Sequence, residues 1–312
     1  MVSIVICTRN RCAALALTLQ ALQDVELPPN RTAEIVLVDN GSTDGTAALI
    51  RAFHWSKGLV RMVAEPRRGK GYAYNSGLAI ANGQVLLLTD DDVRPPRGWI
   101  STMCEPIWSG RAEMVAGGVK FASHLVRDWM TPRLNSLLSS TEQLDASNPA
   151  WVVAANLAFS REVLGRVPAF DPELGPGALG FEDEVLFSWQ VREAGFSVIG
   201  VLDSPVEHWF DPERLSRASL VGYMQGHGRS KAYIDHHWRH QDVHYPRLAW
   251  CRAMVRWITF HIEHPAEWRR QEGISEREAE LLLALAYFEQ QLIERHRPRN
   301  YARHGLVKES NA

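Results

Sequence analysis

Three consecutive aspartates, Asp90-Asp91-Asp92, follow the apolar run Val85-Leu86-Leu87-Leu88-Thr89. Carboxylates this close repel one another and raise each other's pKa values. A divalent cation removes that cost, and hard oxygen ligands suit Mg2+ or Mn2+, which normally share coordination with substrate phosphates. Alternation in an extended chain would turn Asp90 and Asp92 to the same side, toward one ion or its phosphates. A solvated acidic turn, or caps for a helix after Pro95-Pro96, is the plainer alternative. Two further loops carry matching chemistry. Asp39-Asn40-Gly41-Ser42-Thr43-Asp44-Gly45 leads from an aliphatic run into a helical stretch. An Asp at that place in a nucleotide-binding sheet accepts hydrogen bonds from a base or ribose, although every residue in the loop is also a favoured turn former. Arg67-Arg68-Gly69-Lys70-Gly71 sets cations before a helical stretch, whose N-terminus already favours anions. It lacks P-loop spacing, so it suits a diphosphate contact or a basic surface loop and is no ATPase signature. Glu182-Asp183-Glu184 opens another helical stretch, as a source of a general base or as ordinary N-terminal acid enrichment.

The elements that must position these residues alternate. Aliphatic runs at Val2–Ile6, Ile35–Val38, Leu59–Ala64 and Val85–Leu88 are separated by helical patterns, among them Thr46–Phe53 and Gly71–Ala81. Near-continuous apolar strands separated by helices predict an α/β architecture, a mostly parallel sheet covered on both faces. Right-handed crossovers then gather the strand C-terminal ends along one edge, where ligands bind. Further strands are predicted at Met114–Ala116, Trp151–Ala154 and Ser197–Val201, with a helix over Phe181–Ala194. Beyond His208 the pattern is helical, with apolar stripes at Trp250, Met254, Trp257 and Ile258 and again over Leu281–Ile293.

Taken in order, these segments resemble an inverting glycosyltransferase of family 2, with the GT-A fold. The resemblance rests on Val5-Ile6-Cys7-Thr8-Arg9-Asn10, Val36-Leu37-Val38-Asp39-Asn40-Gly41-Ser42-Thr43-Asp44-Gly45-Thr46, Asn75-Ser76-Gly77 and Thr89-Asp90-Asp91-Asp92. It continues through Ala155-Asn156-Leu157-Ala158-Phe159, Phe170-Asp171, Gly180-Phe181-Glu182-Asp183-Glu184 and His208, covering about residues 1–210. It implies a GT-A catalytic domain over 1–213, with a nucleotide-binding half to about 95 and an acceptor-binding half over 96–213. Residues 214–312 form a helical C-terminal extension.

The resemblance also implies roles. Thr8, Arg9 and Asp39 would hold the nucleoside of a nucleoside diphosphate sugar, usually a UDP-sugar. Arg68 would lie near the nucleotide. Asp90, Asp91 and Asp92 resemble the Asp-x-Asp motif: Asp90 and Asp91 on the donor side, Asp90 and Asp92 on Mn2+ or Mg2+, with His208 as a further metal ligand. Asp183 resembles the catalytic base, and Glu182 would help position the acceptor, a glycan, a lipid-linked molecule or a small molecule. The Gly222–Arg229 segment resembles a mobile Gly-rich lid over the donor phosphates. Membrane-embedded processive synthases carry Gln-x-x-Arg-Trp; Gln225-Gly226-His227-Gly228-Arg229 departs from it, which argues against a polymer synthase.

Composition narrows the alternatives. Hydrophobic residues are 46% and charged residues 22% of 312, an ordinary globular balance that excludes a disordered or collagenous chain. The net charge of −2 hides an asymmetry: residues 214–312 hold 16 Lys and Arg against 11 Asp and Glu. Four cysteines match no metal-ligand spacing and are too few for a disulfide scaffold, so a reducing, cytoplasmic setting is expected. No leader is expected before the first strand, and no apolar run of membrane-spanning length appears. The negative charge and the lack of a recognised motif speak against a nucleic-acid partner. A metal-dependent nucleotidyltransferase would want a glycine-rich loop after the first strand, where Cys7-Thr8-Arg9-Asn10-Arg11 has none. A non-catalytic sugar-nucleotide-binding relative is the other alternative. His236 and His240 are spaced to share a helix face, but no paired cysteine accompanies them and lone histidine clusters are more often surface features, so no metal site is expected there. Three roles are open to the C-terminal helices: capping the sheet, pairing with a second copy, or a peripheral membrane contact through the basic stripe of Arg252 and Arg256.

Overall fold

Strands made almost wholly of Val, Ile and Leu have no face to give to water, so they must be covered on both sides. In the computed structural model, which describes residues 1–309, the runs Val2–Ile6, Ile35–Val38 and Val85–Leu88 lie inside one eight-stranded sheet, whereas Leu59–Ala64, expected to be covered as well, is its largely exposed edge. The strands are β1 (Val2–Thr8), β2 (Ala33–Asp39), β3 (Leu59–Ala64), β4 (Val85–Thr89), β5 (Val93–Arg94), β6 (Met114–Phe121), β7 (Asn156–Ser160) and β8 (Val198–His208). The helices are α1 (Cys12–Asp24), α2 (Thr46–Ala52), α3 (Lys70–Ile80), α4 (Trp99–Trp108), α5 (Pro132–Leu137), α6 (Asp183–Glu193), α7 (Arg217–His237), α8 (Pro246–Glu263) and α9 (Glu276–Glu294).

The strand order is β3-β2-β1-β4-β7-β6-β8-β5. The first four are mutually parallel, as are β6 and β8, whereas β7 runs antiparallel to both its neighbours and β5 runs antiparallel to β8. The sheet is therefore mixed. Alternate residues feed two core layers. Ile4 and Ile6 pack with Leu15 and Leu19 of α1 and with Trp99 and Ile100 of α4. Val5, Leu86 and Leu88 pack with Tyr74 and Leu78 of α3 and with Phe187 and Val191 of α6.

Three further expectations need correction. The run Trp151–Ala154 is no strand; the strand begins at Asn156, in the slot between β4 and β6. Val152, Val153 and Ala154 are buried in the core layers without joining a ladder, and Val152 and Val153 also wall a cavity beside the sheet. An apolar run records burial, and burial does not require strand geometry. The Gly222–Arg229 segment is no mobile lid but part of the 21-residue helix α7. Its glycines permit close approach: a Cβ at Gly228 would lie 2.3 Å from the Leu283 carbonyl oxygen of α9, and one at Gly226 would lie 2.8 Å from the Phe181 ring. Finally, Ile258 does not share the inward stripe of Trp257; it is 47% exposed.

One buried node ties the two halves of the sheet. The Trp99 indole N–H donates to Asn156 Oδ1 at 2.9 Å, and Asn156 Nδ2 donates to the Gly118 carbonyl at 2.8 Å. A Cβ at Gly117 would fall 2.2 Å from the same amide, so glycine is required for the approach. Trp99 and Asn156 are both fully buried. Trp99→Phe removes the donor and strands the Asn156 oxygen, which is expected to cost about 1–3 kcal/mol, read as a fall in thermal midpoint. An unchanged midpoint would mean that the node does not hold the sheet.

The C-terminal helices are fastened to the sheet domain through Asp171. Its Oδ2 accepts from Tyr233 at 2.7 Å and Tyr301 at 2.8 Å, and its Oδ1 accepts from Lys308 Nζ at 2.7 Å. The histidine cluster serves this packing: His236 meets Asp242 at 2.6 Å, His237 meets Glu294 at 3.1 Å and His240 meets the Tyr301 carbonyl at 3.0 Å. Among the described residues, no helix is long and apolar enough to cross a membrane.

Candidate functional site

The ends of β1, β4 and β8 and the start of α6 converge on a cleft of about 450 Å³. Thr8 closes β1, and its hydroxyl donates to Asp91 Oδ2 at 2.6 Å. Asp90, Asp91 and Asp92 form the turn between β4 and β5. The turn is not extended, yet it gives each aspartate a different set of partners, with Arg11 shared by two of them. Lys70 Nζ, at the start of α3, meets Asp90 Oδ1 at 2.7 Å. Arg11 reaches Asp91 Oδ1 at 3.2 Å and Asp92 Oδ2 at 2.6 Å. His208, the last residue of β8, brings Nε2 to 3.2 Å from Asp92 Oδ1, and Arg214 stands 3.8 Å from Asp92 Oδ2.

These contacts separate the carboxyls chemically. Burial, together with Asp92 and Asp90, pushes Asp91 up to about 6 against the pull of Arg11 and Thr8. Burial alone would also raise Asp92, but His208, Arg11 and Arg214 hold it well below the usual carboxylate range. For Lys70, burial opposes the charge and the facing Asp90 outweighs it, so the ammonium is held firmly. Asp90, Asp92 and His208 each offer one ligand atom, and these atoms lie within 4.8 Å of one another. His208 Nδ1 is buried with no hydrogen-bond partner. Two carboxylates and an imidazole at this spacing, with one ring nitrogen unspent, fit a hard or borderline divalent cation.

Asp183, which also lines the cleft, begins α6 and is 1% exposed, with Oδ2 unpartnered. Gly175, at φ +80°, packs directly on it: a Cβ there would lie 2.7 Å from Asp183 Cγ. The adjacent Glu184 also lines the cleft; burial, then the Asp183 charge, raises its carboxyl well above the ordinary value. Glu182 adopts left-handed backbone, φ +71°, and its carboxylate turns away to His227 Nδ1 at 2.8 Å. That side chain lines a second cavity of about 450 Å³, which adjoins the first through Ser139, Val153, Phe181 and Glu184. Its other walls are mainly apolar, including Leu137, Trp151, Trp189 and Leu283.

Of the residues singled out from sequence, Thr8, Arg9, Arg68, Asp90, Asp91, Asp92, Asp183 and His208 share the first cleft. Arg9 and Arg68 are exposed at its rim. Asp39 does not line it; Oδ1 accepts from the Ser42 N–H at 2.9 Å, and the neighbouring Asn40 reaches the cleft instead. Asn40 pins the basic loop, donating to the Glu65 and Arg67 carbonyls and accepting from the Gly69 N–H at 3.1 Å. Sequence reasoning missed Arg11, Arg214, Tyr223 and Gly175, and it gave Glu184 no role apart from its acidic run. Arg11 is 81 residues from its partner Asp92, and no spacing rule links them. Lys70 was visible as a basic residue at a helix start, though not as the partner of Asp90.

The comparisons bear on the family and the fold. Among curated relatives, glycosyltransferase AglE of Haloferax volcanii is 28% identical over 200 residues, covering 63% of each chain. The chain thus spans under two thirds of that relative's length. Among solved structures, the mannosyltransferase PcManGT from Pyrobaculum calidifontis, in complex with GDP-Man and Mn2+, is 18% identical and superposes with a TM-score of 0.56, over 94% of this chain and 73% of its own. S. aureus TarS 1-349 in complex with UDP-GlcNAc is 17% identical with a TM-score of 0.50, over 75% of this chain and 66% of its own. At these identities both speak to the fold, which is GT-A with a helical C-terminal region. The family model described as "Glycosyl transferase family 2" matches residues 3–167, more than half of the chain and the span that carries Thr8, Asp39 and the Asp90–Asp92 turn; the chain belongs to that family.

Proposed function

We propose that this protein transfers one sugar from a nucleoside diphosphate sugar, with a UDP-sugar the favoured donor, to an acceptor hydroxyl with inversion. The observation that carries the reading is a single cleft lined both by an acidic, cation-fitting group and by a buried, half-unpartnered carboxylate. Inverting displacement needs a base on the acceptor hydroxyl and charge compensation on the departing diphosphate, placed in line. Asp183 Oδ2 is the base in this scheme. Asp90, Asp92 and His208 would hold Mn2+ or Mg2+, which when bound supplies Lewis-acid stabilisation of the leaving diphosphate. Thr8, Arg9 and Asn40 lie at the strand ends where the nucleoside would sit, and Arg68 and Lys70 add positive charge for the phosphates. The second cavity, which meets the first beside Glu184, takes the acceptor.

Release of nucleoside diphosphate from a panel of UDP- and GDP-sugars, with Mn2+ and with a chelator, tests the reading. Metal-dependent release together with an inverted anomeric signal in the product supports it. A retained anomeric configuration, or turnover indifferent to the chelator, contradicts it.

Gly175 offers a sharper check on Asp183. Gly175→Ala forces a methyl against the Asp183 carboxyl and places a Cβ in left-handed backbone, a strain of about 1–2 kcal/mol. A displacement of about 1 Å at a reacting group costs on the order of 100-fold in rate, so transfer should fall on that scale while donor affinity holds. Full activity in a folded Gly175→Ala protein would remove Asp183 from the reaction.

A further inference from the structure

Helix α8 is apolar on two opposite faces. Its inner face, with Ala253, Phe260 and His261 buried, packs toward α9, where His261 Nε2 meets Glu278 Oε1 at 3.0 Å. Its outer face carries Leu248, Cys251, Val255, Ile258 and Ile262 at alternating spacings of three and four, which places all five on one stripe. The stripe is open to water: Leu248 is 49%, Val255 61%, Ile258 47% and Ile262 74% exposed. Tyr245 before the helix, 75% exposed, adds to the exposed aromatic surface at its start, whereas Trp268 beyond it packs on Trp257 and His261 of the inner face.

The stripe is bordered by arginines. At 100° per residue, Arg247 falls along one edge, and Arg252 and Arg256 along the other. Arg269 and Arg270 follow Trp268. Arg270 pairs with Glu267 at 2.9 Å; the other four have no carboxylate partner among the described residues. Glu263 is the one acidic residue of α8. Pairing two copies along this stripe would crowd the arginine borders together with only Glu263 to offset them. An anionic lipid surface answers both features at once: acidic headgroups face the arginines, and the aliphatic stripe enters the headgroup boundary without needing a shaped partner.

We propose that α8 is a membrane-docking element that lays this protein on an anionic lipid surface, with Leu248, Val255, Ile258 and Ile262 inserted and Arg247, Arg252, Arg256 and Arg269 on the headgroups. The full chain is expected to co-sediment with vesicles of mixed phosphatidylcholine and phosphatidylglycerol, at least about tenfold more tightly than with phosphatidylcholine alone, and less well as salt rises. Val255→Ser with Ile262→Ser should abolish the binding, and Arg252→Glu with Arg256→Glu should do so separately. Both pairs are exposed, so unchanged melting curves show that the fold survives. Equal binding to both vesicle types, or binding that ignores both variant pairs, overturns the proposal. So does a stable dimer in solution that Val255→Ser with Ile262→Ser converts to monomer in a chain that ignores vesicles, because the stripe would then lie between copies.

Discussion

Asp183→Asn should leave nucleotide binding intact and lower sugar transfer by about 10²–10⁴-fold, the range that positioned general bases contribute. The substitution keeps the shape of the side chain, so the contact with Gly175 and the start of α6 need not shift. Asp183 Oδ2 has no hydrogen-bond partner to lose, which keeps the structural cost of an amide at that position small. What disappears is the ability to take a proton. The measurement is a pair: nucleoside diphosphate release under saturating donor, and donor affinity by titration. Loss of both in equal proportion would make Asp183 a binding residue, and activity within about twofold of the parent would place the base elsewhere.

Asp92→Asn should have a double effect. Asp92 is 1% exposed and faces His208, Arg11 and Arg214, so removing its charge leaves three cationic or proton-binding groups short of a counter-charge. Breaking a buried pair from one side costs about 3–5 kcal/mol; Arg11 keeps Asp91 and is about a third exposed, so the lower end or less is expected. The second effect reads the site itself. With Asp92 gone, Asp90 and His208 remain as two ligands, and the stabilisation that nucleotide plus Mn2+ gives the parent should vanish. A variant that melts lower yet keeps the metal-dependent nucleotide shift would mean that Asp92 is structural and the ion sits elsewhere.

Much of the arrangement was readable from sequence because local rules and global fold agree. The strands β1 to β4 announce themselves as apolar runs, and the loops after β1, β2 and β4 bring Thr8, the Asp39–Asn40 turn and Asp90–Asp92 to one edge. Other features were invisible for identifiable reasons. Trp151–Ala154 reads as a strand because the run is apolar, but Val152, Val153 and Ala154 are buried against the core outside any ladder, beside a cavity that Trp151, Val152 and Val153 line. Gly226 and Gly228 read as a flexible loop because glycine usually means backbone freedom, whereas here the missing Cβ atoms let α7 touch Phe181 and α9. Arg11 and Arg214 complete the acidic turn through contacts between distant segments, and nothing in their local sequence marks them. Asp39 shows the converse: a motif residue in the expected loop whose Oδ1 accepts from its own turn and which does not line the cleft, where Asn40 stands instead. On α8, helical periodicity gave the inward stripe correctly at Trp257, and the exposed aliphatic stripe on the far side emerged only once the helix was seen packed.

The most direct measurement is thermal denaturation with UDP, GDP, TDP and CDP, each with and without Mn2+. A nucleotide present at about 100 times its Kd stabilises the folded chain by roughly 2.7 kcal/mol, a readily visible rise in midpoint. The cleft built from Thr8, Asp90–Asp92 and His208 predicts a shift for one nucleotide, UDP first, that appears with Mn2+ and disappears with chelator. No shift with any of the four, with or without the ion, would contradict a nucleoside diphosphate site at this edge of the sheet.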